Sequence, residues 1–186
     1  TDMFIETRQT NDSTATAEPV YLCIKHIASP GKPGSIKNVS FKSIFCNAEN
    51  QIRLKGITAS VLKNICFDNV VLNLKMPSLK STALTNSQAA VAAEYVSALS
   101  INNIAINWLF NQWQAYYSNG INVSHFENLK LSQYAVKAAP LSLNTHAVIL
   151  TDGSELTIDA GDILKSRVTE SKPSKALSGT KQKNYH

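Results

Sequence analysis

Ile36-Lys37-Asn38-Val39-Ser40-Phe41 decides the fold, because the chain says it again as Leu62-Lys63-Asn64-Ile65-Cys66-Phe67, Ile101-Asn102-Asn103-Ile104-Ala105-Ile106 and Phe126-Glu127-Asn128-Leu129-Lys130-Leu131. Each copy reads apolar-x-Asn-apolar-x-apolar, and the asparagines are 26, 39 and 25 residues apart. A weaker copy, Gly153-Ser154-Glu155-Leu156-Thr157-Ile158, follows 27 residues later with Glu155 in the asparagine slot. Self-similarity at such a period marks a repeat architecture. Inside the copies, Val39/Phe41, Ile65/Phe67, Ile104/Ile106 and Leu129/Leu131 alternate with polar residues. A period of two belongs to strands, not helices. Leucine-rich repeats would need a fixed leucine frame and a helix, and neither is present.

A second short strand precedes several copies, at Val20-Tyr21-Leu22-Cys23-Ile24, Gln51-Ile52-Arg53-Leu54 and His146-Ala147-Val148-Ile149-Leu150. Two or three short strands per turn describe an all-β parallel β-helix, here of about five to six coils. Neighbouring coils would stack about 4.8 Å apart. The recurrent asparagine sits at a bend, where Asn tolerates turn conformations. Stacked in register, such side chains can bond one another along the coils.

Composition narrows the function. The chain of 186 residues is 44% hydrophobic, enough for one sizeable core. It holds no apolar run long enough to span a bilayer, so no membrane partner is expected. It opens at Thr1 with no initiator Met and no signal peptide, as a processed or trimmed chain would. The net charge of +5 comes entirely from residues 165–186, where six basic residues face Glu170 alone. That tail reads as a flexible, solvated end. A nucleic-acid binder would more often carry its basic stripe on the folded body, so nucleic acid is not expected as a partner. Cys23, Cys46 and Cys66 are odd in number. A 26-residue step sets Cys46 against Leu72 and Cys66 against Ser40, so no disulfide is predicted. No Cys/His spacing suggests a metal, and no cofactor is expected.

One domain is predicted over residues 1–164, with a first strand at Met3-Phe4-Ile5-Glu6-Thr7 and an interruption over 77–93. Ser87 and the alanines after it fit a short helix or a long loop equally.

Ile24-Lys25-His26-Ile27-Ala28-Ser29-Pro30-Gly31-Lys32-Pro33-Gly34-Ser35-Ile36-Lys37-Asn38-Val39-Ser40-Phe41-Lys42-Ser43-Ile44 resembles a segment of the polygalacturonase-like glycoside hydrolases, family 28. Asn50-Gln51-Ile52-Arg53-Leu54-Lys55-Gly56 and Leu62-Lys63-Asn64-Ile65 continue it, and the resemblance spans roughly residues 19–160. It implies a right-handed, pectin-lyase-like β-helix that is secreted to an extracellular or periplasmic space and acts on acidic, pectin-type polysaccharide. The family's Asn-Thr-Asp, Asp-Asp and Gly-His-Gly motifs are absent from this chain. At its Arg-Ile-Lys motif stands Cys23-Ile24-Lys25, which keeps only the lysine.

The residues agree with that absence. Inverting hydrolysis needs two carboxyls about 6.5–9.5 Å apart. At the copy spacings, Asp68 aligns with Lys42, Asn107 and Ser132, and no two acids fall in register on neighbouring coils within 36–132. A β-helix lyase would need acids that bind Ca²⁺ and an arginine base, and no such cluster appears. The expectation is therefore the C-terminal part of a longer hydrolase, inactive alone, with its catalytic aspartates upstream. The alternative is a non-catalytic glycan-binding or structural module. In either case something must cover the open end of the helix: the missing N-terminal portion, a second copy, or residues 1–18.

Four residues are candidate polysaccharide contacts. Lys25 and Arg53 could pair with sugar carboxylates, or lie on a solvated face. Trp108 and Trp113, in a cluster with Phe110, Tyr116 and Tyr117, could line a glycan-binding rim. The favoured reading is that Trp108 and Phe110 continue the inward alternation, since aromatic rings serve mostly as apolar packing with a polar tip.

Overall fold

A computed structural model describes residues 3–8, 18–25, 31–76, 88–110, 117–140 and 146–159. These residues form nine strands and no helix: β1 (Met3–Glu6), β2 (Tyr21–Cys23), β3 (Lys37–Ala48), β4 (Ile52–Lys55), β5 (Leu62–Leu74), β6 (Gln88–Trp108), β7 (Tyr117–Ala135), β8 (Val148–Thr151) and β9 (Ser154–Ile158). Every strand-to-strand pairing is parallel, in one nine-stranded sheet wound as a β-helix. It completes about four turns, carried by β2–β3, β4–β5, β6 and β7; β1 and β8–β9 are partial turns at the two ends. The expected five to six coils were too many because these end segments do not close.

The turns share three faces. Face one stacks β2, β4, residues 91–94, residues 121–124 and β8. Face two stacks residues 39–42, 65–68, 99–102, 129–132 and 156–158. Face three stacks β1 on 44–47, then 70–74, 104–108 and 134–135. Alternation sends every second side chain inward, as the sequence predicts. Ile65 and Phe67 are buried above Leu99 and Ile101, which lie above Leu129 and Leu131. Phe41 and Phe67 stack with ring centroids 4.8 Å apart. Burying each such side chain contributes roughly 1.5–3 kcal/mol.

The faces meet at corners where the backbone turns left-handed. Corner one holds Asn38, Asn64, Ala98, Asn128 and Glu155; corner two holds Ser43, Asn69, Asn103 and Gln133; corner three holds Tyr95, His125 and Asp152. All have φ between 48° and 60°, a region that Asn enters more readily than other non-glycine residues. This is the physical reason for the recurrent asparagine. The expected side-chain bonding is present. Asn64 Nδ2 donates to Asn38 Oδ1 at 2.8 Å, and Asn103 Nδ2 donates to Asn69 Oδ1 at 3.2 Å. On face three, Asn107 donates to Asn73 at 2.8 Å and Asn73 donates to Asn47 at 2.9 Å.

One register expectation fails. Val70 pairs with Ile104, so Asn103 stacks on Asn69 at corner two and not on Asn64 at corner one. Asp68 accordingly faces Asn102, whose Nδ2 donates to it at 2.6 Å, and not Asn107. Residues 88–93, read as the start of a helix or as loop, lie in β6. Ala90, Val91 and Ala93 are buried there between the ladders to β4 and β7. Tertiary pairing overrides alanine's weak helix preference. The rest of the expected interruption, 77–87, and the tail at 165–186 lie outside the described residues. The cysteines stand as expected, with Cys46 beside Leu72, Cys66 beside Ser40, and all three thiols free. Burial pushes the Cys46 thiol up to about 11.

Candidate functional site

Face one carries the densest mixture of polar chemistry. Its outward positions form two rows across the coils. One runs Tyr21, Arg53, Ala92, Asn122 and Ile149; the other runs Cys23, Lys55, Glu94, Ser124 and Thr151. Ala92 is small between two long neighbours, and the surface sinks there. A depression of about 200 Å³ results, lined by Gln51, Arg53, Lys55, Glu94, Asn122 and Ser124, among others. It crosses three coils, perpendicular to the strands.

Arg53 is held in place rather than free. Its Nη1 lies 3.8 Å from Glu18 Oε1, and its guanidinium sits over the Tyr21 ring, 5.7 Å from the centroid. The Cys23 thiol, hydrogen-bonded to Tyr21, pushes the tyrosine hydroxyl up, and burial adds to this. Lys55 stands in register with Glu94. Lys25 is exposed, just beyond β2, and Ile24 N–H beside it donates to Lys55 O at 2.8 Å. Lys25 and Arg53 therefore belong to the same face, on adjoining coils.

Corner three borders this face and brings together residues that the sequence left scattered. Tyr95 and His125 stack with ring centroids 4.4 Å apart, and His125 Nε2 lies 4.0 Å from Asp152 Oδ2. The signal was available in the spacing: steps of 30 and 27 residues place all three at one corner, whereas a step of 25 does not.

Trp108 is elsewhere, at the end of face three. Its indole Nε1–H donates to Lys137 O at 3.1 Å, and its ring meets Phe110 edge-on at 5.6 Å. Tyr117 packs on both rings and its hydroxyl donates to Glu49 O at 2.8 Å. Burial, then Glu49, pushes the Tyr117 phenol well above its usual range. These three aromatics thus seal the core beside β6 and β7, following the inward alternation. Trp113 and Tyr116 lie outside the described residues.

No two carboxylates share a register position on neighbouring coils in these ladders. Among the described residues no group of three His, Cys, Asp or Glu side chains could hold a metal ion. What face one offers is a strip of guanidinium, ammonium, carboxylate, amide and hydroxyl groups set at coil spacing. Comparison with protein-family models, with curated proteins and with solved structures finds no match for this chain.

Proposed function

We propose that this β-helix binds an acidic polysaccharide, laid across the coils of face one. The observation that carries the reading is the groove itself. It runs along the helix axis, repeats polar groups about every 4.8 Å, and holds Arg53 and Lys55 together at one end. An extended, hydroxyl-rich chain with carboxylates suits such a strip, since a guanidinium grips carboxylate in bidentate fashion. The test is calorimetric titration with oligogalacturonate and with its fully methyl-esterified form. The acidic oligomer should bind and the ester should bind far more weakly. Arg53→Gln should weaken acidic binding about tenfold. Equal binding of both oligomers, or of neither, would overturn the proposal.

A second reading has one specific observation behind it. Met3 and Ile5 continue the inward rows of Ile44 and Cys46, yet Met3 is 55% exposed. No described strand pairs with the outer edges of β1 and β2. Such an edge suits further coils stacked before it, as in a polygalacturonase-like hydrolase whose catalytic aspartates precede this segment. Intact mass and N-terminal sequencing of the protein from its native source decide this. Preceding sequence with aspartates in register on adjacent coils supports it, and a native mass near 20.3 kDa removes it.

A further inference from the structure

Lys37 and Lys63 occupy the same register position on adjacent coils, just before corner one. Parallel neighbours lie about 4.8 Å apart, and like charges directly opposite destabilise a sheet. Elsewhere no two cations are stacked in these ladders: Lys42 faces Asp68, Lys55 faces Glu94, and Lys130 lies between Ser100 and Thr157. Among the described residues, the ion pairs are Arg8–Glu49, Arg53–Glu18, Lys75–Glu6 and His125–Asp152, and none involves Lys37 or Lys63. Beyond Lys63 the row continues with Ser97, whose hydroxyl already donates to Glu127 at 3.1 Å.

The paired lysines open onto a niche of about 430 Å³, also lined by Ser35, Thr58, Ser60 and Val61. Two connecting turns build it, and they are tied together. Ser60 Oγ donates to Gly34 O at 2.8 Å, Lys63 N donates to Ile36 O at 3.1 Å, and Ile57 and Ser60 exchange backbone bonds at 3.0 Å. The ammonium groups are thus attached to a braced frame, with hydroxyls beside them. The volume falls in the range of small-molecule sites.

We propose that this niche is an oxyanion site, in which Lys37 and Lys63 clasp one carboxylate, sulfate or phosphate group and the hydroxyls of Ser35 and Thr58 complete its hydrogen bonds. The anion offsets the repulsion between the two ammoniums. The site stands across the β4–β5 turn from the groove on face one and does not depend on that groove's role.

The test is titration of the whole chain with sodium sulfate, sodium phosphate and oligogalacturonate, using wild type, Lys37→Gln, Lys63→Gln and the double variant. Both lysines are exposed, so the variants keep the fold, which circular dichroism checks. Each single change should weaken oxyanion binding about tenfold, and the double change should abolish it. Arg53→Gln should leave sulfate and phosphate binding intact, which separates this site from the groove. Binding of the inorganic ions with no gain for oligogalacturonate identifies a free-ion site. An oligogalacturonate-binding step separate from the groove's, absent in the double variant and surviving in Arg53→Gln, identifies a saccharide carboxylate. Without added anion, Lys63→Gln should melt higher than wild type, because the repulsion is gone. Undiminished oxyanion binding by the double variant would overturn the proposal, as would no oxyanion binding by wild type.

Discussion

Corner one and corner two of this β-helix have the same backbone and different side-chain bonding. At corner two the bonds run without a gap from Asn103 to Asn69 to Ser43. At corner one Asn64 bonds Asn38, but the next coil puts Ala98 in the row, left-handed at φ 54° with no polar side chain. Both rows carry the strain of a left-handed corner, and only one is compensated through the middle coils. The lesson is that asparagine serves twice here. It tolerates the corner, and it ties each corner to the one below.

Four substitutions probe that difference. Asn69→Val should have the largest effect, about 3 kcal/mol of destabilisation, since it forces a β-branched residue to φ 57° and breaks two side-chain bonds. Urea denaturation measures it, and a loss below that of Asn64→Ala would break the contrast between corners. Gly153→Ala tests corner three, where a Cβ would collide with the Phe126 ring. Overpacking there should cost roughly 2 kcal/mol, read as a lower urea midpoint. Asn64→Ala removes a single bond and puts alanine at φ 52°, so about 1.5 kcal/mol should go. Ala98→Asn is the gain-of-stability partner. Asparagine there would suit the corner and could join Asn64 to Asn128, raising stability by about 1 kcal/mol. A lower melting temperature for that variant would show that the gap at corner one has a packing cause.

The same two corners explain what the sequence could and could not reveal. Strand periodicity, the inward side chains and the bonded asparagines were legible, because alternation and left-handed turns restrict residue type. Which corner a copy occupies was not. Corner two follows corner one by five residues, and both demand an apolar residue two before the turn and others one and three after it. Phe67-Asp68-Asn69-Val70-Val71-Leu72 therefore fits the phrase as well as Leu62 to Phe67 does. Matching Ile101 to Ile106 with the wrong one gave a 39-residue step where the coil advances 34. That slip also moved Asp68 onto Asn107 and hid Tyr95 from His125. Arg53 was legible as a cation on an outward strand position. Its pairing with Glu18 was not, since nothing in the local pattern brings residue 18 across. Lys37 and Lys63 lay inside the very copies that revealed the fold, where their stacking was open to view and their niche was not.

The asparagine bonds to side chains of neighbouring coils all point one way, while Ser97 donates in the opposite sense to Glu127. Asn64, Asn69, Asn73, Asn102, Asn103 and Asn107 each donate to a residue of the preceding coil, and Ser132 does the same to Asn102. The amides therefore add up as strings of aligned dipoles along the helix axis, each bond polarising the next. Toward β1 the strings begin with the amides of Asn38 and Asn47, which accept through Oδ1 and turn their N–H groups outward along the axis, and toward β7 they finish at Asn103, Asn107 and Ser132. The molecule thus has a polarity that its near-neutral body charge conceals. A further coil placed before β3 must bring acceptors to meet it, and head-to-tail stacking extends the strings where head-to-head stacking would set donor against donor.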